Sequence, residues 1–191
     1  MKRFAISLAI LFLCSSLASA VTINLFGTFT SDDNMEVFSY HVENTGPVHV
    51  FTTSYALGGF SPVLSVFDGA GNFVFDDSGY SGNRDADLSW PSVGGVSYLV
   101  VLTEYDNFPI SPTFADGFTE QGNGNFTANP PFNPPSPGAF YLPSGPQLTG
   151  NWAVTFESAD STLVVTPEPA SSLLLLLSAG LMWFFRKNQI Q

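Results

Sequence analysis

Aspartates are the residues of this sequence best suited to a site. Asp76 and Asp77 close one predicted strand. Asp85 and Asp87 open the next, where residues i and i+2 share one face. If these strands pair as neighbours, four carboxylates approach one another, and calcium takes six to eight oxygen ligands of this kind. No EF-hand loop or glycine-aspartate repeat accompanies them, so the alternative is a set of solvated turn and cap residues.

The two histidines suggest a second chemistry. His41 and His49 flank a turn at residues 44–47 and could face each other across a hairpin, with Glu43 nearby. This arrangement would suit a transition metal or a general base, but two histidines without a third ligand indicate such a site only weakly. The alternative is that they are surface residues of a hairpin. Asp32 and Asp33 are typical of a turn.

Nucleophilic catalysis has little support in the sequence. No Gly-x-Ser-x-Gly motif is present, and the only cysteine is Cys14. A glycosidase carboxylate pair stays open, because such pairs meet only in the folded protein. Trp90, Trp152 and Tyr80 could stack on sugar rings. The two tryptophans fall on predicted inward positions, which favours core packing, whereas Tyr80 lies in a glycine-containing loop.

Charge narrows the range of partners. Fifteen acidic residues lie between residues 21 and 166, where Arg84 is the only lysine or arginine. Such a segment repels the phosphates of nucleic acids and the surface of anionic lipid. It suits divalent cations, basic partners or neutral glycans.

The same segment alternates with period two. Phe38 and Tyr40 alternate with Ser39 and His41, and a turn follows. Further strand-like segments lie at residues 48–55, 62–67, 73–75, 86–90, 96–103, 152–156 and 163–165. The segment 96–103 is the most apolar and is therefore predicted to be central. The pattern predicts an all-β domain over residues 21–166, an antiparallel β-sandwich or jelly roll.

Residues 104–147 interrupt this pattern. Nine of the fourteen prolines lie there. We expect a long surface excursion, because loops of this length are uncommon unless they are functional or disordered. Four phenylalanines are predicted to hold it on the sheets: Phe118, Phe126, Phe132 and Phe140.

The N-terminus has the three parts of a secretory signal peptide. Lys2 and Arg3 precede an apolar run over residues 4–17, and Ala18 and Ala20 form a small-x-small cleavage site. Residues 1–20 are therefore predicted to be removed by signal peptidase during export. Cleavage would leave no cysteine, hence no disulfide or thiolate site. An uncleaved N-terminal anchor is the alternative.

The C-terminus is a second apolar segment. Pro167, Glu168 and Pro169 precede an apolar run over residues 170–185, and Arg186-Lys187 follows. Sixteen helical residues span about 24 Å, against a hydrocarbon core of about 30 Å. Basic snorkelling residues make this length workable, and cations at the far end favour a cytoplasmic C-terminus. The run predicts a single transmembrane helix, with a buried core helix as the alternative.

These three parts resemble the PEP-CTERM sorting signal of Gram-negative bacteria, which lies at residues 167–191 here. The resemblance implies cleavage near Pro167-Glu168-Pro169 by an exosortase-type membrane protease, in a producer of extracellular polysaccharide. Many such signals end in more arginines than the pair Arg186-Lys187.

Residues 27–103 resemble the bacterial pre-peptidase C-terminal domain. The resemblance rests on the segments 59–68, 71–72, 76–77, 85–88, 94–95 and 98–101. It implies a jelly-roll-like sandwich that accompanies secreted enzymes and is not itself catalytic. Some relatives bind calcium or polymeric substrates, although Ser61 stands where many members carry aspartate.

Together these patterns predict an exported, non-enzymatic protein. It would pass transiently through the inner membrane to the cell surface or extracellular matrix and associate with exopolysaccharide in a biofilm. No cofactor is expected, and calcium at the aspartates is the alternative. A calcium-dependent carbohydrate- or protein-binding module is the first alternative, and a secreted hydrolase is the second.

Overall fold

A computed structural model describes residues 20–79, 82–129, 139–142, 145–160 and 162–167. Over these residues the chain forms nine strands and two short 3-10 helices, Phe114–Asp116 and Phe126–Ala128. The strands are β1 (Val21–Thr28), β2 (Glu36–His41), β3 (Gly46–Thr52), β4 (Pro62–Phe67), β5 (Phe73–Asp77), β6 (Asp87–Ser92), β7 (Ser97–Glu104), β8 (Asn151–Ser158) and β9 (Val164–Pro167).

The strands form two antiparallel sheets. One sheet has the order β1-β8-β3-β6, and the other has the order β5-β4-β7-β2-β9. Every pairing between these strands is antiparallel. The predicted all-β sandwich is confirmed. The strand β7, predicted to be central, is the third of five in its sheet.

The core lies between the sheets because the inward side chains of both are apolar. In β6 and β8 buried residues alternate with exposed or half-buried ones. Rings from the two sheets meet edge to face: Phe38 lies 5.5 Å from Phe156, and Tyr40 lies 5.8 Å from Trp90 between ring centroids. Aromatic pairs in this geometry stabilise a core beyond their buried area.

The excursion covers the outer face of the five-stranded sheet. Phe118 packs there with Val37, Phe67 and Val101 in a second apolar cluster. This cover explains why all six residues of β4 are buried, on both faces of the strand. The other three phenylalanines predicted to hold the excursion are not in this cluster. Phe126 packs beside Tyr141, Phe140 belongs to the main core, and Phe132 lies outside the described residues.

One glycine fixes the return of the excursion to the sandwich. Phe29 N–H donates to the Gly150 carbonyl over 2.8 Å. A Cβ atom at Gly150 would lie 2.1 Å from the Phe29 carbonyl oxygen and 2.9 Å from the Phe140 ring. Only glycine allows this approach, because a main-chain oxygen cannot move aside as a flexible side chain can.

We therefore expect Gly150→Ala to destabilise the protein by about 1–3 kcal/mol, the usual cost of overpacking. Gly46→Ala is the matched control, because a Cβ at Gly46 meets nothing within 4 Å. Its effect should stay within about 0.5 kcal/mol. Urea unfolding measures both, and equal stability of the two variants would contradict this account.

Candidate functional site

The four predicted aspartates do not form one cluster. Asp76 and Asp77 end β5, and the Asp87 N–H donates to Asp77 Oδ2 over 2.8 Å, so these two strand ends do meet. Burial, and then the charge of Asp77, raise the pKa of Asp76. Across the described residues no group of three or more His, Cys, Asp or Glu side chains is arranged to hold a metal ion.

Asp85 differs from its expected position. It is buried, whereas the side chain of Asp87 is 70% exposed, so the two do not share an outer face. The i, i+2 rule fails here because β6 begins only at Asp87. The Asp85 carboxylate accepts hydrogen bonds from Thr52 Oγ1 and from the N–H groups of Tyr55 and Ala56, at 2.9–3.0 Å. These hydrogen bonds stabilise the turn that follows β3.

The histidines do not face each other across a hairpin. His41 lies on β2 and His49 on β3, and these strands belong to different sheets. The turn between them crosses from one sheet to the other. His41 contacts Ser97 and Glu43, at 3.1 and 3.3 Å. The predicted pairing of the two imidazoles was wrong.

His49 instead lies between two carboxylates on the outer face of the four-stranded sheet. Its Nδ1 is 3.2 Å from Glu157 of β8, and its Nε2 is 2.9 Å from Asp87 of β6. Partial burial acts to lower the pKa of His49, but the hydrogen bonds to Glu157 and Asp87 outweigh it and raise the pKa. The imidazole ring of His49 thus links β3, β8 and β6.

The tryptophans belong to the core. Trp90 and Trp152 are 7% and 8% exposed. Trp90 packs edge to face on Phe75 and Tyr40, so stacking of either indole on a sugar is not supported. Tyr80 lies outside the described residues.

Sequence reasoning missed a buried polar group at one end of the sandwich. Asp32, in the turn after β1, is fully buried and accepts hydrogen bonds from Phe126 N–H, Thr127 N–H and Thr127 Oγ1. Glu104, the last residue of β7, is 1% exposed. Burial, and then the Asp32 charge, raise the pKa of Glu104 well above its usual range. The only sequence signal was an acidic residue at the end of the most apolar strand.

Two side-chain atoms in this buried region have no hydrogen-bond partner among the described groups. Glu104 Oε2 and Asn107 Nδ2 are buried without a hydrogen-bond partner among the residues described. The Asn107 N–H donates to the Glu104 carbonyl, so the two side chains belong to one tight turn. Buried polar atoms without partners are rare in native proteins and call for an explanation.

A cavity of about 420 Å³ lies between the excursion and the outer face of the five-stranded sheet. Met35 and Leu99 line it from the sheet side, and Phe114 and Phe118 line it from the excursion. Thr113 and Gln121 also line the cavity and bring polar atoms to its wall. Its apolar walls suit a small ligand with an apolar face.

The predicted processing sites border the sandwich. Ala20 is exposed directly before β1, and Pro167 is the exposed last residue of β9. Ala18, Glu168, Pro169, Arg186 and Lys187 lie outside the described residues, as does the predicted helix 170–185. Within the described ranges, no helix has the length and apolar character needed to cross a membrane.

Family models and curated proteins were compared with the chain. No family model matches the chain, and no curated protein is significantly similar to it.

We expect the contribution of His49 to depend on pH. Because its pKa is raised in the folded state, its stabilisation is fully present below the unfolded pKa of about 6.5 and is lost as pH rises through the folded pKa. His49→Gln should therefore cost about 0.5–1 kcal/mol at pH 5.5 and less at pH 8.5. Urea unfolding at the two pH values measures this.

The control is the same substitution in a chain that carries Asp87→Asn and Glu157→Gln. There the pH-dependent part of the His49→Gln cost should disappear, because the partners no longer carry charge. A pH-independent cost in the otherwise unchanged chain would contradict the assignment.

Proposed function

We propose that this chain is an exported, non-enzymatic protein of the cell surface or extracellular matrix, sorted by its C-terminal tail. The observation that carries the proposal is the position of the two predicted cuts relative to the fold. The sandwich begins at Val21, directly after Ala20, and its last strand ends at Pro167. The first described strand therefore starts at the predicted signal-peptidase cut, and the last described strand ends at the first residue of the predicted sorting signal.

Pro167 is suitably placed for processing. It lies opposite Phe38 at the end of β9, an edge strand that pairs only with β2 among the described strands. Proline has no N–H to donate to a ladder, so it ends strand pairing and holds the chain extended. A protease would meet an exposed, extended segment beside the sandwich, and cleavage after Pro167 would leave β9 intact.

The body supports the remaining parts of the proposal. Each sheet interleaves early and late strands, and the order β1-β8-β3-β6 against β5-β4-β7-β2 supports a jelly-roll-like sandwich. Its acidic surface suits a hydrated, neutral polysaccharide matrix and opposes nucleic acid. Asp32 and Glu104 do not line an open cleft of the kind in which a glycosidase pair holds its sugar, because both residues are buried.

A binding module is the second candidate. The observation that favours it is the cavity beneath the excursion, whose wall includes Phe114 and Phe118. Aromatic rings bind the apolar faces of small ligands, sugars included. This candidate is compatible with export, because a matrix protein can hold its partner through such a cavity.

The sorting proposal predicts the ends of the mature protein. The full chain should be produced in a polysaccharide-forming Gram-negative host with an exosortase, and in the same host without one. In the first host, mass spectrometry of the released protein should show an N-terminus at Val21 and a C-terminus within residues 166–169. In the second host, the protein should stay in the membrane fraction with its tail uncut.

Glu168→Ala should block release in the host that has the exosortase, because it alters the proposed recognition motif. Glu43→Ala is the matched control: it removes the same charge from an exposed site whose side chain contacts His41, and release should continue. Released protein that still ends in Arg186-Lys187 and the following residues would overturn the proposal.

A further inference from the structure

Negative charge is concentrated at one end of the sandwich without basic partners. Asp32, Asp85 and Glu104 are all buried there, near the end of β7 and the turns that follow β1 and β3. Between residues 20 and 167 the sequence has one arginine and no lysine. That arginine, Arg84, lies 5.7 Å from the centre of the Tyr55 ring. Both histidines contact other carboxylates.

These three carboxylates differ in their hydrogen-bond partners. Asp85 has three donors and needs nothing more. Asp32 is held by donors from the 3-10 helix Phe126–Ala128, which fix its position. Glu104 Oε2 has no donor among the described groups, although the residue is almost completely buried. A buried carboxylate without a partner is costly, because it has lost its water and gained nothing in return.

The nearby charge of Asp32 increases the free-energy cost of burying the Glu104 carboxylate without a partner. Phe126 N–H donates to Asp32, and Tyr105, the residue that follows Glu104, packs against the cluster that contains Phe126, so Asp32 and Glu104 lie in the same part of the fold. The charge of Asp32 adds to the effect of burial in raising the pKa of Glu104. A bound cation would relieve the repulsion and satisfy the orphan oxygen at once. In other proteins a lysine or arginine side chain neutralises such a pair. Residues 20–167 contain only Arg84, whose guanidinium lies over the Tyr55 ring.

We propose that Glu104 and Asp32 hold a divalent cation, and that this cation is calcium. Oxygen is the only donor type that the two residues offer, which disfavours zinc. Calcium accepts carboxylates together with backbone carbonyls and water in irregular geometry, whereas magnesium demands a near-ideal octahedron. Asn107 Nδ2 is a donor and cannot be a ligand, but it can donate to a water in the calcium shell.

The site differs from the one expected at Asp76, Asp77, Asp85 and Asp87. It joins the turn after β1, the end of β7 and the start of the excursion, so calcium would tie the excursion to the sandwich. Export, which belongs to the proposed function, would expose the protein to the calcium concentrations that extracellular modules use. The site itself does not depend on the sorting tail.

Calcium binding should raise the melting temperature. The full chain, purified in mild detergent, is melted at pH 7.5 in EDTA and in 10 mM calcium chloride, with near-ultraviolet circular dichroism as the readout. An affinity near millimolar predicts an increase of roughly 3 to 6 °C. Magnesium chloride at 10 mM should give a clearly smaller shift.

Glu104→Gln and Asp32→Asn should each abolish the calcium-dependent shift. Asp106→Asn is the matched control: it removes the same charge two residues from Glu104, at an exposed position with φ of 81°, which asparagine tolerates. That variant should keep the shift. If either core variant does not fold, the unchanged chain titrated with calcium and magnesium still decides the question.

Two outcomes would overturn the proposal. The first is no shift in the unchanged chain at 10 mM calcium; a Glu104→Gln variant that then melts higher in EDTA would show that the buried carboxyl has no cation to stabilise it. The second is an equal shift in Glu104→Gln or with magnesium. None of these results bears on where the tail is cut, so the sorting proposal fails or stands separately.

Discussion

In this protein, backbone N–H groups rather than lysine or arginine side chains stabilise the buried aspartate carboxylates. With one arginine between residues 20 and 167, its buried and half-buried aspartates cannot rely on ion pairs. Five of them accept hydrogen bonds from main-chain N–H groups in turns and strand ends: Asp32, Asp68, Asp77, Asp85 and Asp160. Such bonds favour the charged carboxylate, and hydrogen bonds from Thr162 and Asn44 hold the pKa of Asp160 far below its usual range. Asp68 holds the turn between β4 and β5 within one sheet, and the other four carboxylates hold connections that run from one sheet to the other.

Glu104 is a buried carboxylate that does not follow this pattern, because one of its oxygens accepts no hydrogen bond from the described groups. It stands at the end of β7, where the strand gives way to the excursion, and Oε2 has none of the described N–H donors. Asp32 finds its donors in the 3-10 helix Phe126–Ala128, whereas Glu104 Oε2 finds none among the described groups. The proposed cation would supply that missing partner.

The sequence predicted what depends on local periodicity. Alternation placed strands at or near β2, β3, β6 and β8, because each has one face in the core. The segments 62–67 and 96–103 predicted β4 and β7, which are buried on both faces over most of their length, and the segments 73–75 and 163–165 fall at β5 and β9. Alternation gave no strand at β1, whose residues are only half buried or exposed, as suits an edge. It also treated the turn between His41 and His49 as a hairpin, because a turn that crosses between sheets has the same local residues as one that joins neighbours.

The candidate sites were harder to predict, since they depend on contacts between distant segments. The partners of Asp32 lie 94 and 95 residues away, at Phe126 and Thr127, and nothing local indicates that a turn aspartate is buried. The ends of the fold behave differently. Both terminal strands, β1 and β9, are sheet edges, each paired on one side only among the described strands. The predicted cuts after Ala20 and near Pro167 therefore fall beside edge strands, and cleavage after Ala20 or after Pro167 would keep every strand pairing among the described residues. A central strand at either of these ends would be paired on both sides, so a cut inside it would disturb two neighbours instead of one.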